Sequence, residues 1–212
     1  RNYAEDVFLE MLYVAGAQPY FDVVTAQPYG FFAGPEDRAV GRETFTFSRA
    51  ILIHEALEAH GDVDKAVWIS HFGWNSKPAD WPGPDSIWGS VDETTQAEYT
   101  VAALARAERE WPWMGVMCVN GFQPRPESAS RPVPDAEEHW GFALVAPDGA
   151  PRPIYTALRE WNARSRVATP GGYSASTSLA DFDGTWTLGP QGADIGRSGD
   201  RVTLVFEGTD IA

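Results

Sequence analysis

Apolar residues recur at spacings of three and four from Tyr3 to Gly16, falling at Val7, Phe8, Met11, Leu12 and Ala15, and this predicts an amphipathic helix ended by Gly16. Tyr20 to Ala26 then changes to a short, β-branched run, closed by Gln27-Pro28-Tyr29-Gly30, which predicts a strand. The same alternation returns twice. A helix from Thr46 or Ser48, both candidate caps, runs to Gly61 and precedes the strand Ala66–Ile69. A third helix starts at Asp92, with Ala97, Val101, Leu104 and Ala105 on its apolar face and Glu98, Arg106, Glu108, Arg109 and Glu110 on its charged face. Trp111-Pro112-Trp113 breaks that helix, and Met114–Val119 is a third buried strand, ending at Asn120-Gly121-Phe122.

Between these units lie segments too polar or too broken by proline for regular structure. Gly30 to about Thr44 is one, and the stretch carrying Trp74, Trp81 and Trp88 among Pro78, Pro82 and Pro84 is another. Gln123 to Asp135 is a third; after it, His139 to Val145 and a Pro147-Asp148-Gly149 turn lead to a last helix, Ile154–Asn162. Helix and strand alternating in this way predict an α/β fold with a parallel sheet covered by helices. A closed barrel of that kind needs eight strands, so three strands amount to its C-terminal half, with the rest supplied by the same polypeptide or by a partner chain. The chain opens at Arg1 without a leader pattern, from which the expectation is that it starts inside a longer polypeptide.

After Trp161 the composition shifts. Residues 166–180 are rich in Gly, Ser and Thr and predict a linker, and within 181–212 the alternating runs Phe182–Leu188 and Arg201–Gly208 predict the start of an incomplete β-sandwich. The first 165 residues form the barrel half in this division.

Bulk composition narrows the chemistry further. A net charge of −14 over 212 residues argues against a nucleic-acid surface, which needs clustered Lys and Arg. With 43% hydrophobic residues and 13% aromatics, a packed core is expected. No apolar run is long enough to span a membrane, and a single cysteine, Cys118, excludes a disulfide framework and any zinc-type spacing. His139 beside Glu137 and Glu138 lacks a further ligand at metal spacing, and Asp194 and Asp200 read as turn residues; no metal and no cofactor are expected.

In a parallel barrel the chemistry sits where strands end at their carboxyl side, which draws attention to Ser70–Ser76. Phe21–Gly30, Trp68–Asn75, and Gly115–Phe122 with His139–Gly149 and Pro151–Tyr155 resemble, in order, the sixth, seventh and eighth strands of the retaining glycoside hydrolase barrels of clan A. That resemblance implies a carbohydrate partner. It also puts His71 where the family carries its nucleophilic glutamate, and Gln27 where a histidine is common, with Tyr29 facing the nucleophile position. The family's acid/base, on the fourth strand, would precede Arg1. A retaining mechanism needs two carboxyl groups about 5–5.5 Å apart, and imidazole cannot supply the negative charge that an oxocarbenium-like centre requires. The expectation is therefore a domain that binds or hydrolyses O-glycosidic bonds, with hydrolysis in doubt at His71 and a pseudoenzyme a direct alternative. A non-catalytic structural module of a large surface assembly is the competing expectation.

Tyr29 joins His71 as the catalytic-position pair, and Gln27, Trp74, Asn75, Asn120 and Trp140 are the expected sugar contacts, the tryptophans as flat stacking platforms. Asn75 and Asn120 could equally satisfy loop backbone. His54, on a covering helix, reads as structural. By the same resemblance, Phe182–Gly208 is similar to modules appended to surface polysaccharide enzymes, from which an extracellular or cell-surface location is expected.

Overall fold

The protein is described from a computed structural model covering residues 3–78, 81, 85–124, 140–164, 179–189, 192–193 and 197–206. It divides into two compact units, Arg1–Trp161 and Asn162–Ala212. Residues 165–178, most of the expected linker, lie outside the described residues, as do Pro82, Pro84, His139 and Asp194.

In the first unit, helix α1 (Glu5–Val14) leads to strand β1 (Val23–Ala26), α2 (Ala50–Ala59) to β2 (Ala66–Phe72), and α3 (Glu93–Glu110) to β3 (Met114–Val119); α4 (Pro153–Ala163) follows. The three strands form one parallel sheet in the order β1-β2-β3, as helix–strand alternation requires. Val67, Ile69 and Phe72 of β2 are buried against the helices, joined by Phe47, Trp74, Ala103 and Trp111 in one cluster and by Leu9, Tyr13, Ile53 and Leu57 in another. The opposite face of the sheet is open: Trp68 is 43% exposed and Val116 42%. Gly115 permits this arrangement, because a Cβ there would meet the Trp68 indole at 2.5 Å.

Two helix faces differ from the sequence expectation. On α1 the buried positions are Asp6, Leu9 and Tyr13, while Phe8 and Met11 are 52% and 45% exposed. On α3 Arg106 is buried rather than solvated, its guanidinium donating to Pro35 O at 2.6 Å, Ser48 Oγ at 2.8 Å and Glu110 at 3.1 Å. In both helices a polar side chain goes inward because partners distant in sequence meet it: Arg42 pairs with Asp6, and the carbonyls of Pro35 and Asp37 with the Ser48 hydroxyl receive Arg106. Hydrogen bonds from Arg38 hold the Glu110 carboxyl well below the usual carboxylate range, burial opposes them, and Arg106 and Arg109 add to them.

The expected caps of α2 serve another purpose. Thr46 Oγ1 donates to Ala39 O at 2.8 Å and Ser48 Oγ to Asp37 O, which fastens the 34–48 loop to the helix start. Asp92 does cap α3, accepting from the Thr95 amide at 2.9 Å and the Thr95 hydroxyl at 2.8 Å.

Between α2 and β2, Asp62 ties the first helix to the sheet, accepting from Tyr13 Oη at 2.6 Å and Gln18 Nε2 at 3.0 Å and pairing with Lys65 Nζ at 2.9 Å. Burial pushes the Asp62 carboxyl up, but hydrogen bonds from Tyr13, Gln18 and Lys65 outweigh it, and its pKa ends at about 2. A folded-state pKa below the unfolded value of about 3.9 stabilises the fold above pH 4 and loses that stabilisation as pH falls toward 2. Asp62→Asn is therefore expected to flatten the acid limb of a stability–pH curve between those limits. An acid limb identical to that of the unsubstituted chain would remove Asp62 from this role.

The second unit pairs β4 (Ala180–Asp183) antiparallel with β7 (Arg201–Leu204), in register Ala180↔Leu204 to Asp183↔Arg201, and β5 (Leu188–Gly189) antiparallel with β6 (Gly192–Ala193). Asp200 accepts from the amides of Arg197 and Thr185 and from the Thr185 hydroxyl, an arrangement that closes the turn before β7. Those bonds, led by the Arg197 amide, hold its carboxyl below the ordinary value.

Candidate functional site at the carboxyl ends of the strands

β2 extends through Phe72, so His71 belongs to the strand and not to the loop after it. Its register with β3 runs Ile69↔Met117 and then Phe72↔Val119, three steps against two, which leaves one extra residue in β2. Ile69 and Phe72 both stay buried, so the bulge at Ser70–His71 carries those two side chains away from the helices and toward the strand mouth.

Gln27, just past β1, bridges to both. Its Nε2 lies 3.4 Å from Ser70 Oγ and 3.2 Å from His71 Nδ1. The amide nitrogen donates, so Nδ1 is the acceptor in this contact. On the other side, Asn120, just past β3, donates through Nδ2 to Tyr29 Oη at 3.2 Å. Gln27, Tyr29, His71 and Asn120 thus share the end of one sheet, with the Gly30 amide donating to Gly73 O at 3.1 Å to fasten the β1 and β2 loops together. Among the described residues His71 takes part in no ion pair.

Tyr29 is buried within an aromatic set: its ring lies 4.6 Å from Trp88, 5.3 Å from Phe142 and 6.4 Å from Phe31. Phe31 has φ of 51°, the one left-handed non-glycine residue among those described, and its carbonyl sits where a Cβ on Gly89 would meet it at 2.7 Å. Strain of about 1–3 kcal/mol at such a residue persists where packing holds it. Gln27, Tyr29, Phe31 and Trp88, with Phe45 and the Glu5–Arg49 ion pair, line a hollow of about 250 Å³.

Three expected contacts lie elsewhere. Trp74 is 1% exposed, with Nε1 donating to Ala33 O at 2.6 Å, and so belongs to the core and presents no face to a ligand. Asn75 is equally buried and donates to Ser86 Oγ and Gly89 O, both at 3.0 Å, which is the backbone-satisfying alternative. Trp140 lines a different cavity, beside Asp92, Glu93 and Arg152. The sequence pointed to Ser70 only as the start of the Ser70–Ser76 stretch, without a role, and did not point to Glu5. A bulge leaves no compositional trace, but acidic first turns do: Glu5 opens α1 and Glu93 opens α3, and the amino ends of such helices face the same side as the strands' carboxyl ends.

No protein-family description matches this sequence, and no curated protein matches it. Solved structures do resemble it. A family 39 glycoside hydrolase from the gut symbiont Bacteroides cellulosilyticus WH2 superposes with a TM-score of 0.50 at 21% identity, over 71% of this chain and 29% of that one. The fold is glycoside-hydrolase-like. A β-glucuronidase from Bifidobacterium dentium, solved with coumarin-3-O-glucuronide, gives 0.44 at 18% identity, over 68% of this chain and 21% of that one. The chain thus spans between a fifth and a third of the length of these two proteins.

Proposed function

We propose that residues 1–165 are the C-terminal half of a (β/α)8 barrel of the clan A type, and that its strand ends bind carbohydrate without hydrolysing it. The observation that carries the reading is the hydrogen-bonded row Gln27–His71 and Asn120–Tyr29 across three adjacent parallel strands. These groups offer donors and acceptors at one rim, beside a hollow walled by Trp88 and Phe31. Sugar hydroxyls suit such groups, and a sugar ring suits an aromatic wall. Against hydrolysis stands an imidazole at the nucleophile position, where a retaining mechanism needs a carboxylate.

The open edges of β1 and β3 and the exposed Trp68 face support completion of the barrel by further residues of the polypeptide or by a partner chain. The antiparallel β4–β7 pair supports the start of a β-sandwich in 181–212. With this reading goes the proposal that the protein works at the cell surface or outside the cell.

A second reading, a structural module that reuses the fold, is favoured by Trp88, which leans over Tyr29 and narrows one side of the rim. Titration calorimetry of the chain against a panel of oligosaccharides, with aryl glycosides assayed in parallel, separates the two. Binding that is weakened by Gln27→Ala and Asn120→Ala, with no aryl release, is the expected result. If no oligosaccharide binds, the structural reading replaces this one.

A further inference from the structure

A larger cavity lies apart from the His71 rim. It measures about 770 Å³, opens between the loop after β2, the first turn of α3 and the segment before α4, and shares no lining residue with the hollow at Gln27. Its size falls in the range of sites that enclose a small ligand. Residues 140–142 separate the two places: Phe142 packs on Tyr29 and Trp88, whereas Trp140 lines the cavity.

The lining combines a flat aromatic wall with a polar edge. Trp140 stands edge-on to Trp81 at 5.5 Å, which fixes its ring, and Val91, Val145 and Pro147 continue the apolar wall. Ser90 and Thr95 supply hydroxyls. The charges are largely answered from within: Glu93 pairs with Arg152 at 2.8 Å, and Asp92 accepts from the Thr95 amide and hydroxyl, which hold its carboxyl below the usual range. Two cations, Lys77 and Arg152, and two carboxylates, Asp92 and Glu93, line the cavity together, so the lining carries no net charge that selects an ion of either sign. An uncharged ring with one apolar face and a hydroxyl-bearing rim suits such a lining.

We propose that this cavity is a second carbohydrate site, in which a neutral sugar ring stacks on Trp140 with its hydroxyls toward Ser90 and Asp92. The proposal rests on the carbohydrate reading of the chain and adds a place where a glycan is held away from the strand mouth. Two sites on one chain raise avidity for a polymer long enough to reach both, without a new contact at either.

The test uses the full chain and short neutral oligosaccharides, with a uronate-containing oligosaccharide as the charged comparison. Binding is followed by calorimetry and by tryptophan fluorescence. Trp140→Ala is expected to weaken binding of the neutral ligand roughly tenfold while Asn120→Ala leaves that component in place. Ala146→Trp, which fills the cavity and keeps Trp140, is expected to give the same loss, and circular dichroism checks that each variant folds. The uronate ligand is expected to gain nothing over its neutral counterpart at the cavity, because cations and carboxylates balance in the lining. If Asn120→Ala removes all binding and neither cavity variant changes it, the rim reading stands and the second site is overturned. If the unsubstituted chain binds no oligosaccharide, both fall together.

Discussion

Trp74→Ala is expected to lower the stability of the first unit by about 3–5 kcal/mol, the range for removing a large aromatic side chain from a core. The indole is enclosed on every side that the core offers: Phe47 at 6.2 Å, Tyr99 at 5.4 Å edge-on, and Ile69 and Phe72 of the sheet in the same cluster. Truncation would also strand the Ala33 carbonyl, which now accepts from Nε1. The neighbouring backbone is shaped to admit the ring, since a Cβ on Gly30 would lie 2.0 Å from its atoms. Gly30→Ala should therefore be destabilising as well, by about 1–3 kcal/mol through overpacking. Chemical denaturation with an unchanged m-value checks both. A Trp74→Ala chain that unfolds at the same denaturant midpoint but loses oligosaccharide binding would return Trp74 to the ligand-facing role that the sequence suggested.

The alternation of helices and strands was legible because each unit carries the 3.6-residue period followed by a short β-branched run, and such units have few ways to pack. Which helix face turns inward was less legible. Counting apolar residues selects Phe8 and Met11 on α1, yet Asp6, Leu9 and Tyr13 go inside because Arg42 and Asp62 lie ready to receive the polar atoms. On α3 Arg106 looked like part of a solvated charged face, but the carbonyls of the 34–37 loop converge on its guanidinium. These partners are distant in sequence, so no local period reveals them.

At the site, the nearness of Gln27 and His71 followed from the parallel order of strands whose ends they mark. The bulge that turns both Ser70 and His71 toward the mouth did not, because it depends on register with β3. Glycines admit two of the side chains that the sequence had assigned to a ligand. Gly30 lets Trp74 sink inward, and Gly141, where a Cβ would overlap Asn75 Oδ1 at 1.5 Å, does the same for Asn75. Sequence composition reports that Trp74 and Asn75 are present, but not that the backbone leaves room for both to sink inward.

Arg152→Ala carries the other large expectation, a loss of about 3 kcal/mol or more, since orphaned buried acceptors cost about 1–3 kcal/mol each. Arg152 is 9% exposed and donates to Trp140 O at 2.6 Å, Ala143 O at 2.8 Å, Ser76 O at 2.9 Å and Ser76 Oγ at 3.0 Å, besides pairing with Glu93. It therefore joins the loop after β2, the 140–143 segment and the start of α3 in one piece. The ion pair contributes little of this, because the Glu93 side chain is 51% exposed and such pairs are worth at most about 1 kcal/mol. Hence Glu93→Gln should barely shift the denaturant midpoint, while Arg152→Lys, which lacks the planar fork, should recover only part of the loss. Hydrogen exchange offers an independent view: in Arg152→Ala the amides of Ser76 and Arg152, bonded to Gly141 O and Leu144 O, are expected to lose protection before those of β2 do. Equal midpoint shifts for Glu93→Gln and Arg152→Ala would assign the effect to the charge pair and leave the carbonyl contacts without weight.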